Sequence, residues 1–246
     1  MKQIIKNVLS VALAGAAILS VACSEWTEPE IKVIQSLTEP NIEKDDTYWE
    51  NLRAYKKSDH AIAFGWFGFW NGGTTKTSGA LRNCPDSMDI ISIWGTNKYG
   101  LSEKMIEDMR YVQQVKGTRI TYTCFFHNIS NFLPGCGWEE TVENIPRLAR
   151  AMADTIAKYG YDGIDLDQEA SPGNLFYGAE NMTIFLKELR QLIGPDKLIL
   201  VDGNVSRLNE EGASYVDYAI SQVYATRSYS RLQSRYNGCE HLFRPE

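Results

Sequence analysis

From about residue 59 onward the chain switches repeatedly between short apolar runs rich in β-branched and aromatic residues and amphipathic helical stretches. Ala61 to Phe69, Asp89 to Trp94, Arg119 to Phe126, Gly163 to Glu169, Leu198 to Asp202 and Val216 to Tyr224 predict six strands. Met105, Met109, Val112 and Val115 form one helical stripe between them. Ile145, Leu148, Met152, Ile156 and Tyr159 form a second that stops at Gly160, and Met182, Phe185, Leu186, Leu189 and Ile193 a third that stops at Gly194-Pro195. Strand and helix in this order predict an α/β protein with a parallel sheet and helices outside it, either open and doubly wound or closed as a barrel. Neither GxGxxG nor GxxxxGK[ST] follows a strand, and Gly72-Gly73 reads as a turn, so the nucleotide-binding open sheets lack their phosphate signature here.

The N-terminus reads as an address. Lys2 and Lys6 precede an apolar run from Val8 to Ala22, too short to span a bilayer comfortably and closing in small residues before Cys23. Residues 1–22 are expected to be a signal peptide. Small residues followed by Cys resemble a bacterial lipoprotein processing site, which makes Cys23 the acylated first residue, although Ser20 stands where such sites usually carry Leu; a plain signal peptide is the alternative. The polar, weakly periodic stretch 23–58, with two Glu-Pro pairs, reads as a tether, and 59–246 as the folded domain. The net charge of −6 becomes −8 once Lys2 and Lys6 leave with the signal, because residues 1–22 hold no acid. Such a balance disfavours a nucleic-acid partner.

Cys84, Cys124, Cys136 and Cys239 allow three disulfide connectivities, but buried free thiols are the simpler expectation. His60, His127 and His241 are isolated and no cysteine pair has zinc spacing, so neither a metal site nor any other cofactor is expected.

The most informative segment is Asp162-Gly163-Ile164-Asp165-Leu166-Asp167-Gln168-Glu169. On a strand, Asp165, Asp167 and Glu169 share one face while Ile164 and Leu166 take the opposite, helix-covered face. With a rise of about 3.3 Å per residue, successive carboxylates lie about 6.6 Å apart. In a barrel that face is the interior, and Glu169 comes last, at the C-terminal mouth. Repulsion within the column is expected to raise the pKa of at least one member. Glu169 is the natural proton donor, and Asp167 can switch between Asp165 and a substrate. A calcium loop is a poor alternative because the glycine precedes the acids. A solvated acidic face would not alternate with Ile and Leu. Five specified positions at about 6% each recur by chance roughly once in a million starts.

DGIDLDQE resembles the DGxDxDxE signature of family-18 glycoside hydrolases, the chitinases and endo-β-N-acetylglucosaminidases, at all five specified positions. The resemblance implies a TIM (β/α)8 barrel with this motif on strand four, of which about six β/α units are present. It also implies retaining hydrolysis assisted by the substrate's own N-acetyl group. In that scheme Glu169 protonates the glycosidic oxygen and later activates water, Asp167 orients the N-acetyl group and stabilises the oxazolinium, and Asp165 tunes Asp167. Asp162, grouped with the candidate binding residues, more naturally closes the turn or supports the strand.

A second match lies at the end of strand six, where Tyr224 corresponds to the family tyrosine that hydrogen-bonds the N-acetyl carbonyl. Gln222 precedes it on the same face, and Q-x-Y is similar to the endo-β-N-acetylglucosaminidases, whereas chitinases usually read M-x-Y-D. Trp94, Asn128 and Asn204 follow strand ends at the predicted mouth and are candidates to line sugar subsites, with Trp66 and Trp70 as wall or platform. Two features depart from the family. Strand three reads Thr121-Tyr122-Thr123-Cys124 in place of S-x-G-G, and the strand-eight tryptophan has no counterpart before Glu246. A barrel takes about 250 residues, and about 190 follow residue 58. A domain ending there would leave strands one and six as bare edges and be unstable or oligomeric, so a longer parent protein is the simpler account.

The expected activity is an exported, lipid-anchored glycosidase of a bacterial outer membrane or cell surface, cleaving β-1,4 bonds between N-acetylglucosamine residues, with N-glycan cores as the favoured substrate. A chitinase, or a carbohydrate-binding protein that has kept the barrel without the chemistry, are the alternatives.

Overall fold

Six short strands lie side by side in the order in which the chain makes them: β1 (Phe64–Gly68), β2 (Ile90–Trp94), β3 (Arg119–Phe125), β4 (Gly163–Gln168), β5 (Leu198–Gly203) and β6 (Tyr218–Ile220). Every neighbouring pair is parallel, and the sheet is a curled half-barrel with helices on its outer face. The computed structural model describes residues 44–74, 77–95, 100–133 and 135–243. The predicted signal peptide, Cys23 and the first part of the predicted tether lie outside them. Among the described residues β1 and β6 each have a strand neighbour on one side only.

One boundary moves. Residues Asp46–Tyr55, expected as tether, form helix α1, capped by the Asp45 carboxylate, which accepts from Tyr48 N at 2.8 Å. The compact unit accordingly begins at Asp45. None of the residues of α1 is fully buried, which is why it reads as a linker. Polar reach holds it in place: Arg53 donates to Val115 O at 2.9 Å, Lys56 to Met88 O and to Thr118 Oγ1 at 2.7 Å, and Tyr48 to Asp86 at 2.8 Å.

The outer helices follow the predicted stripes. Helix α2 (Glu103–Tyr111) runs into a wide π-helical turn, Val112–Lys116, that stops at Gly117 with φ of 70°. Helix α3 (Ile145–Tyr159) buries Leu148, Met152 and Ile156, and α4 (Ala179–Ile193) buries Met182, Phe185, Leu186 and Leu189. Two shorter helices follow, α5 (Glu210–Ala213) and α6 (Tyr229–Asn237). The helical stripes close over Ile91, Ile93, Ile120, Tyr122, Cys124, Ile164, Leu166, Ile199 and Val201, which come from the alternate positions of β2 to β5. Strand β6 is shorter than predicted: its ladder to β5 runs from Leu200↔Tyr218 to Asp202↔Ile220, after which the chain leaves the sheet.

The inner face has an apolar floor. Ile90, Leu198 and Leu200 are buried there, with Phe64 and Ile220 packed against them. The motif's Gly163 pairs with Thr121 and Leu198, and a Cβ at this position would collide with the Leu198 carbonyl. The glycine therefore lets β5 approach the strand that carries the acids.

A buried acid on the outer side closes the excursion between β1 and β2. Asp108 is fully buried and accepts from Trp70 Nε1 (3.0 Å), Leu81 N (2.7 Å), Arg82 N (3.1 Å) and Arg82 Nε (3.0 Å). Asp108→Ala strands these donors in a dry site, and the expected loss is about 3–5 kcal/mol of unfolding free energy in urea titrations. A loss under about 1 kcal/mol, the range of an exposed pair, would show that the carboxylate does not hold this segment. The four described cysteines after the tether are free, with only Cys124 fully buried.

Candidate active site

Alternation along β4 sends Asp165 and Asp167 to the inner face. Asp165 is fully buried, Asp167 is 1% exposed, and Glu169, one residue past the strand, is exposed. The residue between the last two acids is anchored on the other side. Gln168 donates through Nε2 to Phe176 O at 2.9 Å, and its Oε1 accepts from Ala170 N at 2.8 Å, which pins the backbone immediately after Glu169. The motif is thus held by its acids inward and by its amide outward.

Asp165 sits at the end of a relay of neutral donors. Trp66 Nε1 donates to its Oδ2 at 2.9 Å, and Thr123 Oγ1 contacts the same oxygen at 3.1 Å while lying 2.9 Å from Ser92 Oγ. Strand register accounts for this, since Thr123 pairs with Asp165 on the adjacent strand. On the other side Asp167 pairs with Asp202 of β5, which is also fully buried. Gln222, beyond β6, closes the group: its Nε2 donates to Asp202 Oδ2 at 2.5 Å and lies 3.4 Å from Asp167 Oδ1.

The electrostatics follow from dryness first and crowding second. Burial raises the pKa of Asp165, against the stabilising hydrogen bonds from Ser92, Trp66 and Thr123. Burial, then the charges of Glu169 and Asp165, push Asp167 up to about 7. Burial, then Asp165 and Asp167, push Asp202 up to about 8. Repulsion along the strand, expected from the motif, adds to these shifts, but the dry protein interior contributes more. Near neutrality Asp167 is therefore divided between acid and carboxylate, so it can donate or accept a hydrogen bond.

The other predicted residues divide. Tyr224 stands 72% exposed beyond β6, its phenol raised by partial desolvation and then by Asp202, Asp167, Glu169 and Asp165. Trp94 ends β2, 39% exposed, edge-on to Phe125 at 5.4 Å. Asn128 lies in the turn after β3 with φ −159° and ψ 44°. Asn204 is exposed after β5 and lines a cavity of about 290 Å³ with Ser221, Ser234 and Arg235, a group that contains none of the four acids. Asp162 lies at the opposite end of β4 from Glu169, accepting from Gln113 Nε2 at 2.7 Å and Ile120 N at 2.8 Å, which is strand support. Trp66 touches Asp165 in place of forming an outer wall, and Trp70 is core, 5% exposed and bonded to Asp108. Asp202 and the Ser92–Thr123 pair went unnoticed in the sequence. An acid at the third inward position of Leu198, Leu200, Asp202 was the available signal.

The profile of the family described as "Glycoside hydrolase family 18, BT1044-like" matches residues 27–244. This chain belongs to that family. A Glu-to-Gln variant of BT1044 has a solved structure that superimposes with a TM-score of 0.71 at 28% identity, covering 82% of this chain and 70% of that one. Endo-beta-N-acetylglucosaminidase F2 of Elizabethkingia meningoseptica is 28% identical over 201 residues, 74% of this chain. The chain spans 56% of the length of that curated relative. The endo-β-N-acetylglucosaminidase of Cordyceps militaris, solved with an Asp-to-Asn and a Glu-to-Gln substitution in complex with fucosyl-N-acetylglucosamine-Asn, shares the fold with a TM-score of 0.63 at 22% identity, over 83% of this chain and 71% of that one. In this family-18 chain Asp165 and Asp167 of the DGxDxDxE motif share an inner face with Asp202, and Gln222 reaches Asp167 and Asp202 there.

Proposed function

We propose that the protein is an endo-β-N-acetylglucosaminidase that cuts the β-1,4 bond between the two N-acetylglucosamine residues of N-glycan cores. The observation that carries this reading is the column Asp165, Asp167, Glu169, dry at its base and open at its end, with Gln222 bonded into it and Tyr224 beside it. Glu169, in water contact at the mouth, gives its proton to the glycosidic oxygen as that bond breaks. The substrate's N-acetyl carbonyl oxygen attacks the anomeric carbon from the opposite face and forms an oxazolinium. Asp167 holds the N–H of that group and, as carboxylate, stabilises the positive charge; Tyr224 donates to the carbonyl oxygen. The resulting Glu169 carboxylate then takes a proton from water, whose oxygen attacks the same carbon and reopens the ring with net retention. The pair Gln222 and Tyr224 favours the N-glycan core over chitin, and the ligand of the Cordyceps militaris relative is of the same chemical class.

The same reading includes export. The run Val8 to Ala22 followed by Cys23 supports a lipid anchor at the membrane or cell surface.

Incubating the full-length protein with a high-mannose and a biantennary glycoprotein, and reading intact mass, tests the assignment. The expected product retains one N-acetylglucosamine on asparagine. Release of chitobiose from chitin with no change in the glycoproteins would transfer the activity to the chitinases, and binding without release would make it a lectin.

A further inference from the structure

Among the described residues, two buried carboxylate oxygens lack any donor: Asp165 Oδ1 and Asp202 Oδ1. The two side chains lie on the inner faces of neighbouring strands, two residues apart in the β4–β5 register, and each shifts the titration of the other. Carboxylate oxygens are acceptors, and two of them in contact are bonded only if a proton lies between them. The surroundings give the same answer. From β1, β2 and β3 the group meets Trp66, Ser92 and Thr123; from β4, Asp167 and Glu169; from beyond β6, Gln222 and Tyr224. None of these is a cation. None of the ion pairs among the described residues includes Asp165, Asp167, Glu169 or Asp202. Dry acids without a positive partner keep protons.

We infer that Asp165 and Asp202 hold one proton between them and that Asp202 is a positioning residue, supplying to Asp165 the donor that no other described residue provides at that oxygen. The arrangement has two consequences. With Oδ1 as the oxygen left for the shared proton, Asp202 keeps Oδ2 as acceptor for Gln222, which fixes that amide with Nε2 toward the acids and Oε1 away from them. With one proton retained in the pair, Asp167 faces a single negative charge on that side in place of two, and remains the member able to exchange a hydrogen bond with a ligand. The inference deepens the hydrolase reading and rests on it for the kinetic consequence only.

Asp202→Asn separates a proton from its mimic. The amide NH2 of asparagine donates to Asp165 and its carbonyl accepts from Gln222, but it cannot titrate. Infrared spectroscopy of the full-length protein, recorded from about pH 6 to about pH 9, reads the protonated carboxyl directly. Asp167 carries a proton of its own near neutrality, so the comparison is made with Asp167 already replaced: the expected result is a carboxylic-acid C=O band that survives in Asp167→Asn, fades near pH 8 and is missing when Asp202→Asn is added to it. In the pH profile of kcat/KM, Asp202→Asn is expected to move the alkaline limb upward by about one unit or more, because its donor is permanent. Asp202→Leu, which strands Asp165 and Gln222, is expected to lower kcat by roughly 100-fold at every pH. A band of Asp167→Asn that persists unchanged when Asp202→Asn is added overturns the inference, as does a pH profile of Asp202→Asn that superimposes on that of the wild type. If the wild type hydrolyses nothing, the activity assignment fails while the infrared comparison still decides where the proton is.

Discussion

Glu169→Gln is expected to lower glycan release by about 10²- to 10⁴-fold, the range that general acid–base catalysis contributes, while glycan binding and folding stay close to wild type. The separation of effects follows from position. Glu169 is exposed beyond the end of β4, and no side-chain hydrogen bond of the described residues depends on its carboxylate, so glutamine there removes a proton and leaves the floor intact. The backbone beside it is held independently by Gln168 and Ala170. Mass spectrometry of a glycoprotein substrate gives the rate, and calorimetry with the intact glycopeptide gives the binding. Turnover within a few-fold of wild type would remove Glu169 from the acid role. Lost binding together with lost turnover would instead point to a role in holding the sugar.

The second large effect is on stability, and its sign runs against that of ion-paired carboxylates, whose pKa folding lowers. Asp167 titrates at about 7 and Asp202 at about 8 in the folded protein, against roughly 3.9 for an unfolded chain. Between those values the folded state holds protons that the unfolded state has released, so unfolding free energy falls as pH rises. The stabilisation is complete below about pH 4, drains through the neutral range and is gone above about pH 8. Each raised group contributes at most about 1.4 kcal/mol per pH unit within its window, so a loss on the order of several kcal/mol is expected between mild acid and mild alkali. Urea midpoints measured at about pH 5 and about pH 8.5 read it. A midpoint that rises over that interval would contradict the raised acids.

Much of this site was legible along a single strand. Period two places Asp165 and Asp167 inward with Ile164 and Leu166 outward, and the structure shows that division. The helices were legible for the same reason, because Leu148, Met152 and Ile156, like Met182, Phe185 and Leu189, recur at the helical period. Helix α1 was not, because an amphipathic signal needs a buried face and α1 is held by the ends of Arg53, Lys56 and Tyr48. Nor was the cause of the raised acids, since neighbours in sequence make repulsion visible while dryness comes from Phe64, Ile90, Leu198, Leu200 and Ile220 on four other strands or strand ends.

Local periodicity, which depends only on backbone geometry, determined that Asp165 and Asp167 share the inner side of β4; Gln222 and Tyr224 lie beyond the end of β6, where no strand period orders them. Which strands flank β4, and in what register, was decided only when the parallel sheet formed. Register sets Thr123 beside Asp165, and Asp202 beside Asp167. It gave Trp66 an acid to bond and Trp70 a place in the core. Those partners come from distant parts of the chain, where no spacing rule connects them, and a carboxylate takes its proton from the partners and the dielectric that the fold puts around it.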